Sequence, residues 1–157
     1  MAKALRILKI DSKEDEKFLR TPSIPVEQKE FGTKEFNSFL EDLLLTAKES
    51  EEPAGGIASP QVGIGKRLFY ILDYDTDVWK LFINPEIEPI GFVKSKMEES
   101  CLSIPNREEK VLRYNKVKIK FQDKDGQWHT EKYNGLNAIT IQHELDHLDG
   151  ILFIDRI

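Results

Sequence analysis

A strand-rich middle, residues 66–133, lies between two segments with helical spacing, and this order constrains the fold more than any other feature of the chain. The predicted strands cover residues 66–72, 81–83, 117–121 and 128–133. Asp125-Gly126 is a hairpin turn signal before the last of them. Because strands and helices do not alternate regularly, we predict an α+β fold with antiparallel sheets rather than a doubly wound parallel sheet.

The two flanking segments are predicted to be helices. Residues 34–50 form an N-terminal amphipathic helix, because large apolar side chains recur at intervals of three and four. These side chains are Phe36, Phe39, Leu40, Leu43 and Leu44. A second helix near the end of the chain has its apolar and imidazole side chains at helical spacing, and Gly150 supplies its C-terminal stop.

Composition narrows the classes of function. With 157 residues, the chain suits one domain, 1–157, and 39% hydrophobic and 32% charged residues are typical of a folded protein. The net charge of -5 disfavours direct nucleic acid binding. No segment approaches the roughly 20 apolar residues that span a bilayer, and the start lacks a secretory signal. We therefore expect a cytoplasmic enzyme without a membrane partner.

His143-Glu144-Leu145-Asp146-His147 has the H-E-x-x-H pattern. On a helix, the i, i+4 spacing places both imidazoles on one face, where they can bind one metal ion. The carboxylate of Glu144 projects close to such a site, where it can accept a proton from water. The alternative interpretation is a solvated, charged helix face that binds nothing.

A catalytic metal usually takes three protein ligands. Cys101, the only cysteine, could be a buried small side chain, a reactive thiol or that third ligand. The tail after His147 offers Asp149 and Asp155, which would give a zinc peptidase with an acidic ligand. Cys101 is the better candidate, since thiolates bind first-row metals strongly.

Three segments of the chain together resemble the signatures of the peptide deformylase family. Residues 54–61 (AGGIASPQ) are similar to its G-x-G-φ-A-A-x-Q, residues 99–103 (ESCLS) to its E-G-C-L-S, and residues 142–147 (QHELDH) to its Q-H-E-x-D-H. The resemblance implies antiparallel sheets packed around a central metal-binding helix. It also implies a compact form of the family that lacks a C-terminal helical extension.

The resemblance further implies an activity: a metal-dependent hydrolase that removes the formyl group from N-formylmethionyl peptides or nascent chains. Cys101, His143 and His147 would hold one divalent ion, physiologically Fe²⁺, with Zn²⁺, Ni²⁺ or Co²⁺ able to substitute. Glu144 would carry the proton, and the Gln61 amide and the Leu102 backbone N–H would donate to the developing oxyanion. The expected substrate-binding residues are Gly55, Gly56, Leu136, Ile139 and Thr140. Any contact with the ribosome would be transient.

Two departures from the family pattern leave a further alternative open. Ala54 and Ser100 stand where the first and second signatures usually have glycine. Since Ser100 lies beside the expected ligand Cys101, a deformylase-like binding protein without turnover is a competing hypothesis. Glu99 and Asp146 are expected to orient the ligands from behind, with Arg113 as the partner of Glu99.

Overall fold

A computed structural model describes all 157 residues and gives three α-helices and seven strands. The helices are α1 (Lys13–Leu19), α2 (Lys34–Lys48) and α3 (Gly135–Leu148). The strands are β1 (Gly56–Ala58), β2 (Leu68–Asp73), β3 (Val78–Pro89), β4 (Lys94–Cys101), β5 (Ile104–Tyr114), β6 (Lys116–Gln122) and β7 (Trp128–Asn134). None of the helices has the length and apolar character needed to cross a membrane.

The strands form two antiparallel sheets, which confirms the predicted α+β class. Five strands are arranged in the order β1-β2-β3-β6-β7, and β4 pairs only with β5 in a separate hairpin. The β6–β7 hairpin turns at Gly126, where a φ of 83° favours glycine. The sequence pattern does not predict β5, because charged, exposed side chains dominate it and hide the alternation.

β2 is buried on both faces, which explains its continuous apolar run. Phe69 and Ile71 belong to the core cluster that includes Ile141 of α3. Leu68 and Tyr70 point the other way and pack in the cluster that contains Leu40 and Leu43 of α2. The five-stranded sheet is therefore covered by one helix on each face.

α2 begins where Thr33 caps it, since the Thr33 hydroxyl accepts a hydrogen bond from Phe36 N–H at 3.2 Å. α3 differs from α2 in being a central helix, with ten of its 14 residues buried. It contacts the five-stranded sheet and also β5 of the hairpin. This position between the two sheets explains why polar residues such as Asn137 and Gln142 are buried along α3.

A third core cluster connects the two ends of the chain. Leu8 from the N-terminal segment packs with Ile104 and Val111 of β5, and with Leu152 and Phe153 of the tail. Gly150, with a φ of 76°, ends α3 as predicted. A Cβ at this position would lie 2.4 Å from the Arg20 carbonyl oxygen, so glycine also allows the tail to pass α1 closely.

Candidate metal centre

α3 places the imidazoles of His143 and His147 side by side. Their ring centroids are 5.2 Å apart, and both residues are buried, at 8% and 1% exposure. The separation follows from the i, i+4 spacing on one helical face, one turn apart. The H-E-x-x-H pattern therefore lies inside the protein, which excludes a solvated helix face.

Cys101 joins this pair from the end of β4. Its Sγ lies 3.3 Å from His147 Nε2, and the ligand atoms of Cys101, His143 and His147 all lie within 4.8 Å of one another. The β4–β5 register shifts between Glu99 and Cys101, so that Cys101 pairs with Ile104. This irregularity turns the last residue of β4 out of the regular ladder at the position next to the helix.

These three residues form a donor set that fits a divalent metal ion. One thiol and two imidazoles are ligands that first-row metals accept, and three protein ligands leave a position open for water or substrate. Glu144 supports the fit, because its buried Oε1 atom makes no hydrogen bond to the protein. Burial raises the pKa of Glu144 to about 7, with His143 opposing and Glu99 adding to that change.

Behind the cluster, charged side chains fix the orientation of the ligands. His143 Nδ1 donates to Glu99 Oε1 at 2.8 Å, which leaves its Nε2 to face Cys101 and His147. Arg113 donates to both carboxylate oxygens of Glu99, at 2.5 and 2.9 Å, and to Asp146 at 2.9 Å. The pairing of Glu99 with His143 and Arg113 agrees with the expectation from the sequence, whereas Asp146 contacts Arg113 and not a predicted ligand.

The charges in this network compensate one another. Burial favours the neutral form of Glu99, but hydrogen bonds from His143 and Arg113 outweigh it and lower the pKa of Glu99. Arg156 in the tail donates to both oxygens of Asp146, at 2.8 and 2.9 Å. The sequence gives no signal for this last contact, because Arg156 is an ordinary charged residue at the chain end.

The two residues expected to act as oxyanion donors lie beside Cys101. Gln61 is in a 3₁₀ turn, Ser59–Val62, that follows β1, and it is 2% exposed. Its Oε1 accepts from Ala58 N–H at 2.9 Å, and its Nε2 lies 3.5 Å from Cys101 Sγ. Leu102 begins the tight turn that joins β4 to β5.

A cavity of about 210 Å³ opens onto the cluster. All five residues expected to bind substrate line it, together with most of the residues expected to bind the metal or to act in catalysis. These are Gly55, Gly56, Leu136, Ile139 and Thr140, with Gln61, Cys101, Leu102, His143 and Glu144. Tyr74 and Met97 also line the cavity and have no motif in the sequence that indicates this role. Ser100, one of the two departures from the family pattern, lies in the same wall.

Two edge strands border the cavity. β1 pairs only with β2, and β4 pairs only with β5, so each has an unpaired edge within the protein. Gly56 of β1 allows a close approach, since a Cβ there would lie 2.8 Å from Glu144 Oε2. An extended peptide can pair with free strand edges of this kind through its main chain.

The acidic residues considered as alternative ligands lie elsewhere. Asp149 pairs with Arg67 at 2.9 Å, and Asp155 pairs with Arg20 at 2.9 Å. Neither carboxylate belongs to the group of potential ligand atoms. His129, the third histidine of the chain, lies on β7 and pairs with Asp123 at 2.6 Å. The zinc peptidase with an acidic third ligand is therefore not favoured.

Comparisons with known proteins agree with the family resemblance seen in the sequence motifs of this site. The family model described as polypeptide deformylase matches residues 5–157. Peptide deformylase from Zymomonas mobilis is 37% identical over 148 residues, covering 88% of this chain and 84% of the relative. Peptide deformylase from Pseudomonas aeruginosa is 40% identical over 140 residues, covering 88% of this chain and 80% of the relative.

The fold is also similar to that of a solved structure. The Met-Ala-Ser-bound class I type b peptide deformylase from Acinetobacter baumannii superposes with a TM-score of 0.90 at 29% identity. The match covers 100% of both chains. The similarity thus includes the central helix, the five-stranded sheet and the hairpin that carries Cys101.

Proposed function

This chain belongs to the polypeptide deformylase family, and we propose that its Cys101, His143 and His147 hold one divalent ion at the centre of the active site. The enzyme is a hydrolase that removes the formyl group from N-formylmethionyl peptides and releases formate. The observation that carries the residue assignment is the convergence of one thiol and two imidazoles within 4.8 Å, although 42 sequence positions separate Cys101 from His143.

A divalent ion held by Cys101, His143 and His147 would supply Lewis acidity, which lowers the pKa of water and polarises a carbonyl group. Glu144 acts as the proton carrier. It accepts a proton from the attacking water as the new C–O bond forms at the formyl carbon. It then returns that proton to the amine nitrogen as the C–N bond breaks, so that formate and a free methionyl N-terminus leave the site.

Negative charge grows on the formyl oxygen as water adds to the carbon. We assign the Gln61 side-chain amide and the Leu102 backbone N–H as donors to this oxygen. Their places beside Cys101 support the assignment, because both lie at the end of the cavity where the ligand atoms converge. Losing one such donor typically costs about a hundredfold or more in rate.

The cavity supports binding of the substrate as an extended strand between β1 and β4. Main-chain pairing near Gly56 would accept almost any sequence, and side-chain selection then depends on the pocket. We assign Gly55, Leu136, Ile139 and Thr140 to the methionine pocket, since they line the cavity beside His143. The relative from Acinetobacter baumannii has a Met-Ala-Ser peptide bound, which agrees with this substrate class.

Fe²⁺ is the ion proposed for the native enzyme, with Zn²⁺, Ni²⁺ or Co²⁺ able to take its place. Sulfur and nitrogen ligands alone would suit zinc equally well. Metal analysis of anaerobically purified protein, combined with its activity on formyl-Met-Ala-Ser, separates the two. Full activity with zinc only would refute the iron assignment.

The substrates are newly made chains, so we place the reaction in the cytoplasm, with no more than transient proximity to the ribosome. The decisive experiment measures formate released from formyl-Met-Ala-Ser by the metal-loaded protein, with Glu144→Ala as the control. Release by the wild-type chain alone supports the proposal. Equal values for the two proteins would instead leave a deformylase-like binding protein.

A second experiment tests the ligand set. Cys101→Ser is expected to lose tight metal binding and formate release. Asp149→Ala and Asp155→Ala are the matched controls, since both carboxylates make surface ion pairs away from the cluster. The peptidase hypothesis predicts the opposite pattern, with Cys101→Ser fully active and one aspartate variant inactive.

A further inference from the structure

The side-chain amide of Gln61 makes hydrogen bonds at both its oxygen and its nitrogen. Its Oε1 accepts from Ala58 N–H at 2.9 Å, so the carbonyl end of the amide is fixed toward β1. Its Nε2 donates to the hydroxyl oxygen of Ser103 at 3.1 Å. Ser103 is completely buried, and it lies two residues after the ligand Cys101.

An amide nitrogen carries two hydrogens, and the two contacts of Gln61 Nε2 each use one of them. One N–H of Gln61 is directed to Ser103, and the nitrogen lies 3.5 Å from Cys101 Sγ. With the carbonyl end held by Ala58 and one N–H held by Ser103, the plane of the amide has no free rotation. The second N–H is then directed to Cys101 Sγ, at the end of the cavity where the formyl oxygen is expected.

The N-terminal segment holds the same two residues by their backbones. Leu8 N–H donates to the Gln61 carbonyl at 2.7 Å, and Ile10 N–H donates to the Ser103 carbonyl at 3.0 Å. The Leu8 side chain is buried in the core cluster that contains Ile104. One short stretch of chain thus joins the 3₁₀ turn that carries Gln61 to the β4–β5 turn that carries Leu102 and Ser103.

We infer that Ser103 is a positioning residue, whose hydroxyl group aims the Gln61 amide at the developing oxyanion while the segment from Leu8 to Ile10 fixes the distance between their backbones. This inference rests on the proposed role of Gln61 in deformylation. Preorganised donors matter because a hydrogen bond that must first be oriented contributes less to the transition state than one already in place.

The kinetic test is a double-mutant cycle in the metal-loaded full-length enzyme. Ser103→Ala is expected to lower kcat about fivefold with little change in KM, the effect of one lost hydrogen bond. In a Gln61→Ala background, the same substitution is expected to change kcat by less than about twofold, because its target is gone. An equal loss in both backgrounds would assign Ser103 a merely structural role and overturn the inference.

Two further variants separate chemistry from packing. Ser103→Thr keeps the hydroxyl and is expected to retain more activity than Ser103→Ala. Ser95→Ala is the control, since Ser95 lies on β4 of the same hairpin and its hydroxyl donates to Asn115 and not to Gln61. It is expected to leave kcat unchanged. A fivefold loss in Ser95→Ala as well would attribute the effect to the hairpin and contradict the inference.

A spectroscopic measurement tests the contact without catalysis. In zinc-loaded protein labelled with nitrogen-15, Ser103→Ala is expected to shift the Gln61 side-chain amide signals and to speed their exchange with solvent. Unchanged Gln61 signals would overturn the inference. Because this readout does not depend on turnover, it still decides whether Ser103 orients Gln61 if the wild-type chain releases no formate and the proposed function fails.

Discussion

The Nδ1 atom of His143 lies 2.8 Å from Oε1 of Glu99, and both side chains are buried. Since the lowered pKa of Glu99 keeps it ionised, it accepts a hydrogen bond from Nδ1–H and leaves Nε2 free to face Cys101 and His147. Carboxylates behind a histidine ligand fix both the tautomer and the ring plane. Glu99 thus determines which nitrogen His143 would offer to the proposed ion.

Glu99→Gln is expected to weaken metal binding by about tenfold or more, because an amide holds the Nδ1 proton less strongly than a carboxylate. Competition with a chromophoric chelator measures this change. Glu109→Gln is the matched control, since Glu109 lies opposite Glu99 in the hairpin and pairs with Arg107 near the surface. Equal metal affinity in the two variants would contradict the role of Glu99.

Gly56→Ala is expected to lower kcat/KM by about a hundredfold. The new Cβ would lie 2.8 Å from Glu144 Oε2 and 2.9 Å from the Tyr70 carbonyl oxygen, so either the proton carrier or β1 must move. Formate release measures the loss, and thermal unfolding shows whether the fold survives. Gly65→Ala is the control, because a Cβ there meets only Phe18 at 3.7 Å. A fully active Gly56→Ala enzyme would argue against close packing between β1 and Glu144.

Arg113→Met is expected to reduce the free energy of unfolding by about 3 kcal/mol or more, because it removes the buried cation that pairs with both Glu99 and Asp146 and leaves them only His143 and Arg156 as partners. Urea unfolding of the metal-loaded protein measures the change. Arg107→Met removes an arginine whose pair with Glu109 is partly exposed, and it should cost less than about 1 kcal/mol. Similar losses in both variants would show that burial does not strengthen the Arg113 contacts.

Asp73→Asn tests the attachment of α3 to the end of β2. Burial disfavours the charged form of Asp73, but hydrogen bonds from Asp75 N–H, Lys80 and Asn137 outweigh it and lower the pKa of Asp73 below 3.8. A carboxyl pKa that is lower in the folded than in the unfolded state stabilises the fold at pH values above the pKa of the unfolded state. This contribution disappears as the pH falls below about 3.8.

At pH 6, Asp73→Asn is therefore expected to be less stable than the wild-type protein by about 2 kcal/mol. The difference between the two proteins should shrink as the pH falls below about 3.8. Urea unfolding at a series of pH values measures both. The exposed Asp11 provides a control, and Asp11→Asn should change stability little at any pH. A constant difference across the series would exclude a contribution from the charge of Asp73.

The helices and strands that have a clear periodic pattern of apolar residues were predictable from the sequence. Helical spacing locates α2 and α3, and β2, β6 and β7 follow from short apolar or alternating runs. Four elements are not predicted: β1 and α1 are short, and β4 and β5 are mostly polar or charged and exposed. These elements owe their place to packing against other parts of the chain, which a local pattern does not record.

By itself, the sequence determined the class of the fold and the identity of the chemical groups, because H-E-x-x-H spacing, a single cysteine and the deformylase signatures are local patterns. Only the tertiary structure decided which acidic residues lie behind the proposed metal ligands. Glu99 and Asp146 meet Arg113 behind the ligands, whereas Asp149 and Asp155 make ion pairs elsewhere. The same holds for the contact between Ser103 and Gln61, 42 positions apart. Such contacts depend on how β4, β5 and α3 pack, and the composition of each segment is compatible with many other arrangements.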